Sequence, residues 1–254
     1  MEYTFKLFDF SILSNTDEFT IQMFGINTEG KQASITVTGF QPFFYVKIGN
    51  DWTHSTTISF IDYIKQKIGP KHASNIVQCT PLYRQKLYGF DGWKKHKFIQ
   101  IVFTNMFALY AVKRLWYTNE RLNKNGVVFG NANVMLYETS IPPLLRLFHI
   151  KNISPSGWIQ IPHNKVCKSA DKLTYCDYEY NIDYTHLIPL NCCELAVPYK
   201  KMSFDIEASS SHGDFPVPIK TYKKLATNII DNHILTAEEL EQALLTAFGY
   251  ATMP

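Results

Sequence analysis

Two acids near the end of the chain have types and spacing that could do chemistry. In Met202-Ser203-Phe204-Asp205-Ile206-Glu207, the apolar Met202, Phe204 and Ile206 alternate with Ser203, Asp205 and Glu207. This is the period-2 pattern of an extended chain with one apolar face. Asp205 and Glu207 would leave the same face, roughly 7 Å apart at Cα by the rise of a strand. Carboxylates that close repel one another, and partial burial would add a desolvation cost. A divalent cation relieves both, so the pair reads as half of a site for a hard metal such as Mg²⁺ or Mn²⁺. The same triad also suits the wet face of an ordinary amphipathic strand, and the spacing alone leaves both readings open.

A second group of side chains suggests nucleic-acid contact. Between Tyr83 and Lys97 lie Arg84, Lys86, Lys94, Lys95 and Lys97 against the single Asp91, interleaved with Tyr88, Phe90 and Trp93. Cations for phosphates and rings for bases are what single-strand binding needs. Gly89-Phe90-Asp91-Gly92 also reads as a hairpin tip, where charge is ordinarily just solvated. The candidate contacts are Arg84, Lys86, Trp93, Lys94, Lys95 and Lys97. A zinc set from Cys167, Cys176, His186 and Cys192 would need spacings that match no structural zinc pattern.

Composition bounds the context. The 254 residues are 46% hydrophobic and 15% aromatic, a globular make-up with ample material for a core. No apolar run is long enough to span a bilayer, and the first residues lack the pattern of a signal peptide. The net charge of +3 permits a nucleic-acid partner without demanding one. Five cysteines with no Cys-x-x-Cys read as reduced thiols of an intracellular protein.

The elements that must position these residues follow the periodicities. Residues 1–40 read as a three-stranded meander with a turn at Asn27-Thr28-Glu29-Gly30. Residues 41–138 read in the order βαββαβ, a ferredoxin-like or RNA-recognition-like unit. Its second helix is capped by Thr104 or Asn105, with Phe107, Tyr110, Ala111 and Leu115 on the inner face. Ser140 to Pro143 begins a further helix, with Ser140 as the capping residue and early prolines, whose apolar side is Leu144, Leu145, Leu147 and Phe148. Residues 156–162 and 195–197 read as strands. Thr236 and Glu239 form a capping box for a last helix striped by Leu240, Ala243, Leu244, Ala247 and Phe248, with Leu235 as a hydrophobic staple.

Longer strings carry a family resemblance. Ser-Phe-Asp-Ile-Glu at 203–207, followed by Ser-Ser-Ser-His-Gly-Asp-Phe-Pro at 209–216, resembles the first exonuclease motif of family B DNA polymerases. Pro218 to Ala226 looks like the version found in large DNA viruses of eukaryotes. Thr38-Gly39-Phe40-Gln41-Pro42-Phe43-Phe44-Tyr45 resembles a string near the start of those enzymes. Tyr137-Glu138-Thr139-Ser140-Ile141-Pro142, Arg146-Leu147-Phe148 and Ser156-Gly157-Trp158-Ile159 resemble the passage that precedes their exonuclease. The three stretches occur in the family's order.

The resemblance implies an α+β chain. A discontinuous OB-like β-barrel (1–40 and 157–195) would carry the ferredoxin-like insert (41–138), together making an N-terminal domain over 1–195. The first strand or strands of an incomplete ribonuclease-H-like exonuclease domain would follow over 196–254. It implies that Asp205 bridges two metal ions and Glu207 binds one of them, with Mg²⁺ or Mn²⁺ as cofactor. Implied partners are primer–template and single-stranded DNA, the remainder of the polymerase chain and a sliding-clamp-type processivity factor, with no membrane. The setting would be intracellular, a viral factory in the host cytoplasm or the nucleus. The family's later exonuclease strings, Asn-x-x-x-Phe-Asp and Tyr-x-x-x-Asp, and its polymerase carboxylate motifs do not occur in these residues. The expectation is therefore a chain that stops inside its exonuclease and is inactive alone. Rival expectations are a stand-alone metal-dependent nuclease and a non-catalytic single-strand-binding module.

Overall fold

Strands β1 (Glu2–Leu13), β2 (Thr20–Ile26), β3 (Gln32–Thr38) and β4 (Phe43–Lys47) open the chain. Helix α1 (His54–Ile68) and the single turn α2 (Pro70–Ala73) lead to β5 (Ile76–Gln85) and β6 (Lys95–Phe103). Next come α3 (Met106–Arg114), the short β7 (Tyr117–Thr118), β8 (Arg121–Leu122) and β9 (Val127–Phe129), and β10 (Ala132–Tyr137). Then follow α4 (Pro143–Lys151), β11 (Trp158–Pro162), β12 (Cys167–Lys168), β13 (Tyr178–Asp183) and β14 (Ile188–Leu190), with α5 (Lys223–Asp231) and α6 (Ala237–Ala247) last. The structure, a computed structural model, describes residues 2–13, 17–86, 89, 91–118, 121–122, 126–168, 172–205, 222–231 and 236–251. The chain divides into a unit over Met1–Tyr199 and a second over Lys200–Pro254.

The first unit holds two larger sheets. In one, the strand order is β12-β13-β3-β2-β1-β11-β14. The meander β1-β2-β3 is antiparallel, β11 pairs antiparallel with β1, and β13 runs parallel to β3 from Tyr178↔Ala33 to Asp183↔Thr38. Strands from the two ends of the unit therefore share one sheet. Alternate residues Phe5, Leu7, Ile21, Met23, Ile35, Val37, Ile159, Ile161, Tyr180 and Ile182 make its core, joined by Leu147 and Phe148 of α4.

Gly39 turns the chain out of β3 at φ +81, where a Cβ would also run into the Asp183 carboxylate. That carboxylate is engaged, accepting from the Thr185 backbone N–H at 2.9 Å and from its hydroxyl. Glycine is needed here on both counts.

Glu179 of β13 anchors the loop before it. Its carboxylate accepts from the backbone N–H groups of Leu173 and Thr174 and from the Thr174 hydroxyl. Loss of hydration pushes its pKa up, but these donors outweigh that and hold it below the usual glutamate range. A carboxyl whose pKa is lower folded than unfolded adds stability above its unfolded pKa, about 4.3, and loses it as pH falls through the folded value. Glu179→Gln is therefore expected to lower the thermal midpoint at pH 7, by a deficit that shrinks as pH falls through the folded pKa of Glu179. A deficit that stays constant as the protein is acidified would show that the carboxylate's charge has no part in the anchor.

The second sheet has the order β5-β6-β4-β10-β9, with every neighbouring pair antiparallel. Helices α1 and α3 cover one face. Phe60, Ile64, Ala108, Leu109 and Val112 pack there on Phe44, Val46, Ile99, Ile101 and Phe103, with Trp116 at the end of α3. Thr53 caps α1 through the Thr56 N–H, and Asn105 caps α3 through the Ala108 N–H.

The sequence expectation for α3 holds in part: Leu115 packs partly buried against this core, but Phe107 and Tyr110 do not face it. Phe107 is 61% and Tyr110 49% exposed, while Ala108, Leu109 and Val112 are buried. The helix carries two apolar stripes, and periodicity alone cannot choose between them. The sheet takes Ala108, Leu109 and Val112, and Trp116 just past the helix fixes the rotation by donating its indole N–H to the Val134 carbonyl at 2.7 Å.

Two further expectations change. Helix α4 starts at Pro143 with Pro142 as its N-cap, and no side chain caps it, so Ser140 does not serve. Residues 195–197 form no strand; the Leu195 carbonyl instead accepts from the Trp158 indole at 3.2 Å.

In the second unit, the capping box of α6 forms between Thr236 and Glu239, at 3.2 and 3.1 Å. Leu235 lies outside the described residues. Neither α5 nor α6 buries a residue, and Leu240 and Phe248 stay 39% and 54% exposed. The expected stripe therefore carries no core among the described residues.

Candidate metal and nucleic-acid sites

Of the two acids singled out, Asp205 is described and Glu207 lies outside the described residues. The expected strand is not formed over 202–205. These residues have no regular structure, Asp205 is exposed, and Met202 and Phe204 are 83% and 76% exposed. Alternation becomes a strand only when a neighbour supplies ladder hydrogen bonds and covers the apolar face, and no strand is described in this unit. No group of three or more His, Cys, Asp or Glu residues close enough to hold a metal occurs among the described residues. That also removes the zinc set, whose Cys167 and Cys192 are exposed while Cys176 is buried. Asp205 is thus the one described member of the acid pair, and it is Asp205 together with Glu207 that would hold a divalent cation.

The basic hairpin is β5 and β6, paired from Ile76↔Phe103 to Gln85↔Lys95. Its cations divide among different roles. Asp91 holds Lys86 at 3.3 Å and accepts from the His96 ring at 2.6 Å. Desolvation raises the Asp91 pKa, but these two contacts together outweigh it and keep the carboxyl below its ordinary range. Lys97 has a structural task. Its ammonium donates to the Trp52 carbonyl at 2.5 Å and its backbone N–H to Asn50 at 3.0 Å. Its neighbours in register alternate with those of Arg84, so the two side chains leave opposite faces of the sheet. Arg84 is exposed, with its guanidinium on the Tyr83 carbonyl at 3.2 Å. Lys94 and Lys95 are exposed, as is Trp93, 69% accessible at φ 68. Of the six candidates, the fold brings Arg84 and Lys86 to one cavity, leaves Trp93, Lys94 and Lys95 at the hairpin end and turns Lys97 away.

Several side chains around that cavity were not among the candidate site residues read from the sequence. Tyr45, Phe98, Tyr137 and Glu138 line it together with Arg84, Gln85, Lys86 and Ile141. Arg146 of α4 is 7% exposed although it sits among leucines. Its guanidinium donates to the Glu138 carboxylate at 2.7 Å and the Glu138 carbonyl at 3.1 Å, and lies 4.4 Å from the centroid of the Phe43 ring. A buried arginine is tolerated when paired and stacked in this way. A lone charge within an apolar stripe was the signal that could have found it.

The family model for DNA polymerase family B, exonuclease domain, matches residues 134–227, a span that contains both acids. A DNA polymerase of Phaeocystis pouchetii virus is 45% identical over 253 residues, covering 90% of this chain and 24% of that one. The chain belongs with the family B DNA polymerases. The DNA polymerase of Pyramimonas orientalis virus is 34% identical over 86% of this chain and 18% of its own length. The DNA polymerase delta catalytic subunit of Schizosaccharomyces pombe is 28% identical over 80% and 19%. This family B chain thus spans about a quarter or less of the relatives it matches. Among its described residues no helix is long and apolar enough to cross a membrane.

Proposed function

We propose that the chain is the N-terminal part of a DNA-directed DNA polymerase with a 3′→5′ proofreading exonuclease, acting in viral DNA replication. The observation that carries this is the position of Asp205 and Glu207 inside the residues matched by the family's exonuclease model. In the complete enzyme the two acids would bind divalent cations, Mg²⁺ or Mn²⁺, which supply Lewis-acid activation of a water and charge neutralisation at a scissile phosphate.

Residues 1–195 would form the N-terminal domain and 196–254 the start of the exonuclease. An OB-like reading of the first sheet is supported by the sharing of strands from 2–38 and 158–190. A ferredoxin-like reading of the second is supported by its antiparallel order β10-β4-β6-β5. Arg84, Lys86, Trp93, Lys94 and Lys95 would meet single-stranded DNA, with Lys97 bracing the hairpin. Proposed partners are primer–template DNA, the rest of the polymerase chain and a sliding-clamp-type factor. The proposed setting is intracellular, at a site of viral replication in the host cytoplasm or nucleus.

The test is to express the complete reading frame that contains these residues. Magnesium-dependent primer extension and 3′→5′ digestion are expected from the complete protein and neither from the 254-residue chain alone. Robust synthesis by the isolated chain, or a complete protein without either activity, would overturn the assignment.

A further inference from the structure

The face of the five-stranded sheet opposite α1 and α3 has a chemistry of its own. Tyr45 on β4, Phe98 on β6 and Tyr137 on β10 leave this face by the alternation of their strands, Tyr45 lying directly opposite Tyr137. Their rings meet edge-to-face, Tyr45 to Phe98 at 6.3 Å and Phe98 to Tyr137 at 5.2 Å between centroids. Phe98 is 3% exposed and forms the floor; the tyrosines are half-buried walls. Arg84 and Lys86 rim one side and Glu138 the other, around a cavity of about 650 Å³. The volume lies within the range of small-ligand pockets, and a ring-lined hollow with a few charged groups at its edge is how such pockets are built. Glu138 is fixed there by the buried Arg146 at 2.7 Å. The charges on both rims reach the same ring. Burial raises the Tyr45 pKa first and Glu138 raises it further, while Arg146 and Arg84 pull it down.

We propose that this cavity takes one unpaired base of a single nucleic-acid strand, packed against Tyr45 and Tyr137 over Phe98, with the adjoining phosphates on Arg84 and Lys86. Rings offer a flat surface to any base, and cations beside them meet the backbone. Lys94, just before β6, is exposed at the hairpin end beyond the cavity. The choice of a strand over a free nucleotide rests on the reading of the chain as part of a DNA polymerase; the cavity and its chemistry do not.

The test measures binding of short labelled single strands to the 254-residue chain by fluorescence anisotropy. One strand carries bases throughout; another of equal length and charge carries abasic units in its interior. The base-bearing strand is expected to bind about tenfold more tightly, a gain within the range that stacking of one base on an aromatic side chain supplies. Tyr137→Leu and Tyr45→Leu, which keep apolar bulk in the sheet, should remove the preference. Arg84→Ala should keep the preference and lower the slope of log affinity against log salt by about one. Equal affinity for the two strands, no binding of either, or a preference that survives both tyrosine replacements would overturn the proposal. Failure here would leave the exonuclease assignment standing, because that is read from digestion by the complete enzyme.

Discussion

Replacing Asp205 and Glu207 together by alanine in the complete polymerase is expected to slow 3′→5′ removal of a mismatched primer end by on the order of 10³-fold, about 4 kcal/mol of barrier at 1.36 kcal/mol per decade. Primer extension should stay within about twofold. The size follows from the proposed role, since cations that neutralise charge at a phosphate contribute several kcal/mol and need carboxylates to hold them. The dissociation of the two activities is the informative part. Asp205 is exposed on irregular chain, so its replacement removes no packed core that synthesis could need. Excision rates are best read by single-turnover digestion, with extension measured on a matched primer. An unaltered excision rate in the double variant would leave the acid pair as a solvated surface feature.

The largest expected effect on stability is at Trp116. The side chain is 1% exposed, meets the Phe60 ring at 6.5 Å and donates to the Val134 carbonyl at 2.7 Å. Trp116→Ala removes the largest fully buried side chain of the chain's described residues and leaves a buried carbonyl without its donor. Core Trp→Ala changes cost about 3–5 kcal/mol, and an unmet buried carbonyl adds about 1–3 kcal/mol. Because domains are stable by only about 5–15 kcal/mol, the sheet carrying the basic hairpin should be close to unfolding at room temperature. Trp116→Phe should keep much of the packing and cost about 2 kcal/mol. Urea unfolding followed by far-ultraviolet circular dichroism measures both. A loss below about 1 kcal/mol for Trp116→Ala would contradict the packing described for α3.

Much of this protein was legible because its information is local. The alternation in Phe19 to Gly25 and Ala33 to Thr38, the Asn105 cap and the Thr236–Glu239 box each lie within a few residues, and each forms. The strings around Asp205, Gly39 and Arg146 carried the family resemblance for a similar reason, as contiguous residues whose order survives without coordinates.

The limits of local pattern also have physical causes. Residues 202–205 alternate as strands do and 195–197 are a short apolar run, yet without a partner strand their backbone groups have no ladder to join. Helix α3 offers two apolar stripes, and the choice belongs to the sheet beneath it. Lys97 and Arg84 look equivalent in a basic run, but strand register sends one to brace Trp52 and the other toward a cavity.

By itself the sequence determined the acid pair, the capped helices, the strand-forming runs and the family to which the chain belongs. Only the tertiary structure decided that β13 lies parallel to β3, which face of α3 is buried, and that Tyr45, Phe98 and Tyr137 stand together. Those three rings come from strands far apart in the chain. Their meeting depends on which strand edges pair and which faces the helices cover, and burial settles both over the whole sheet at once.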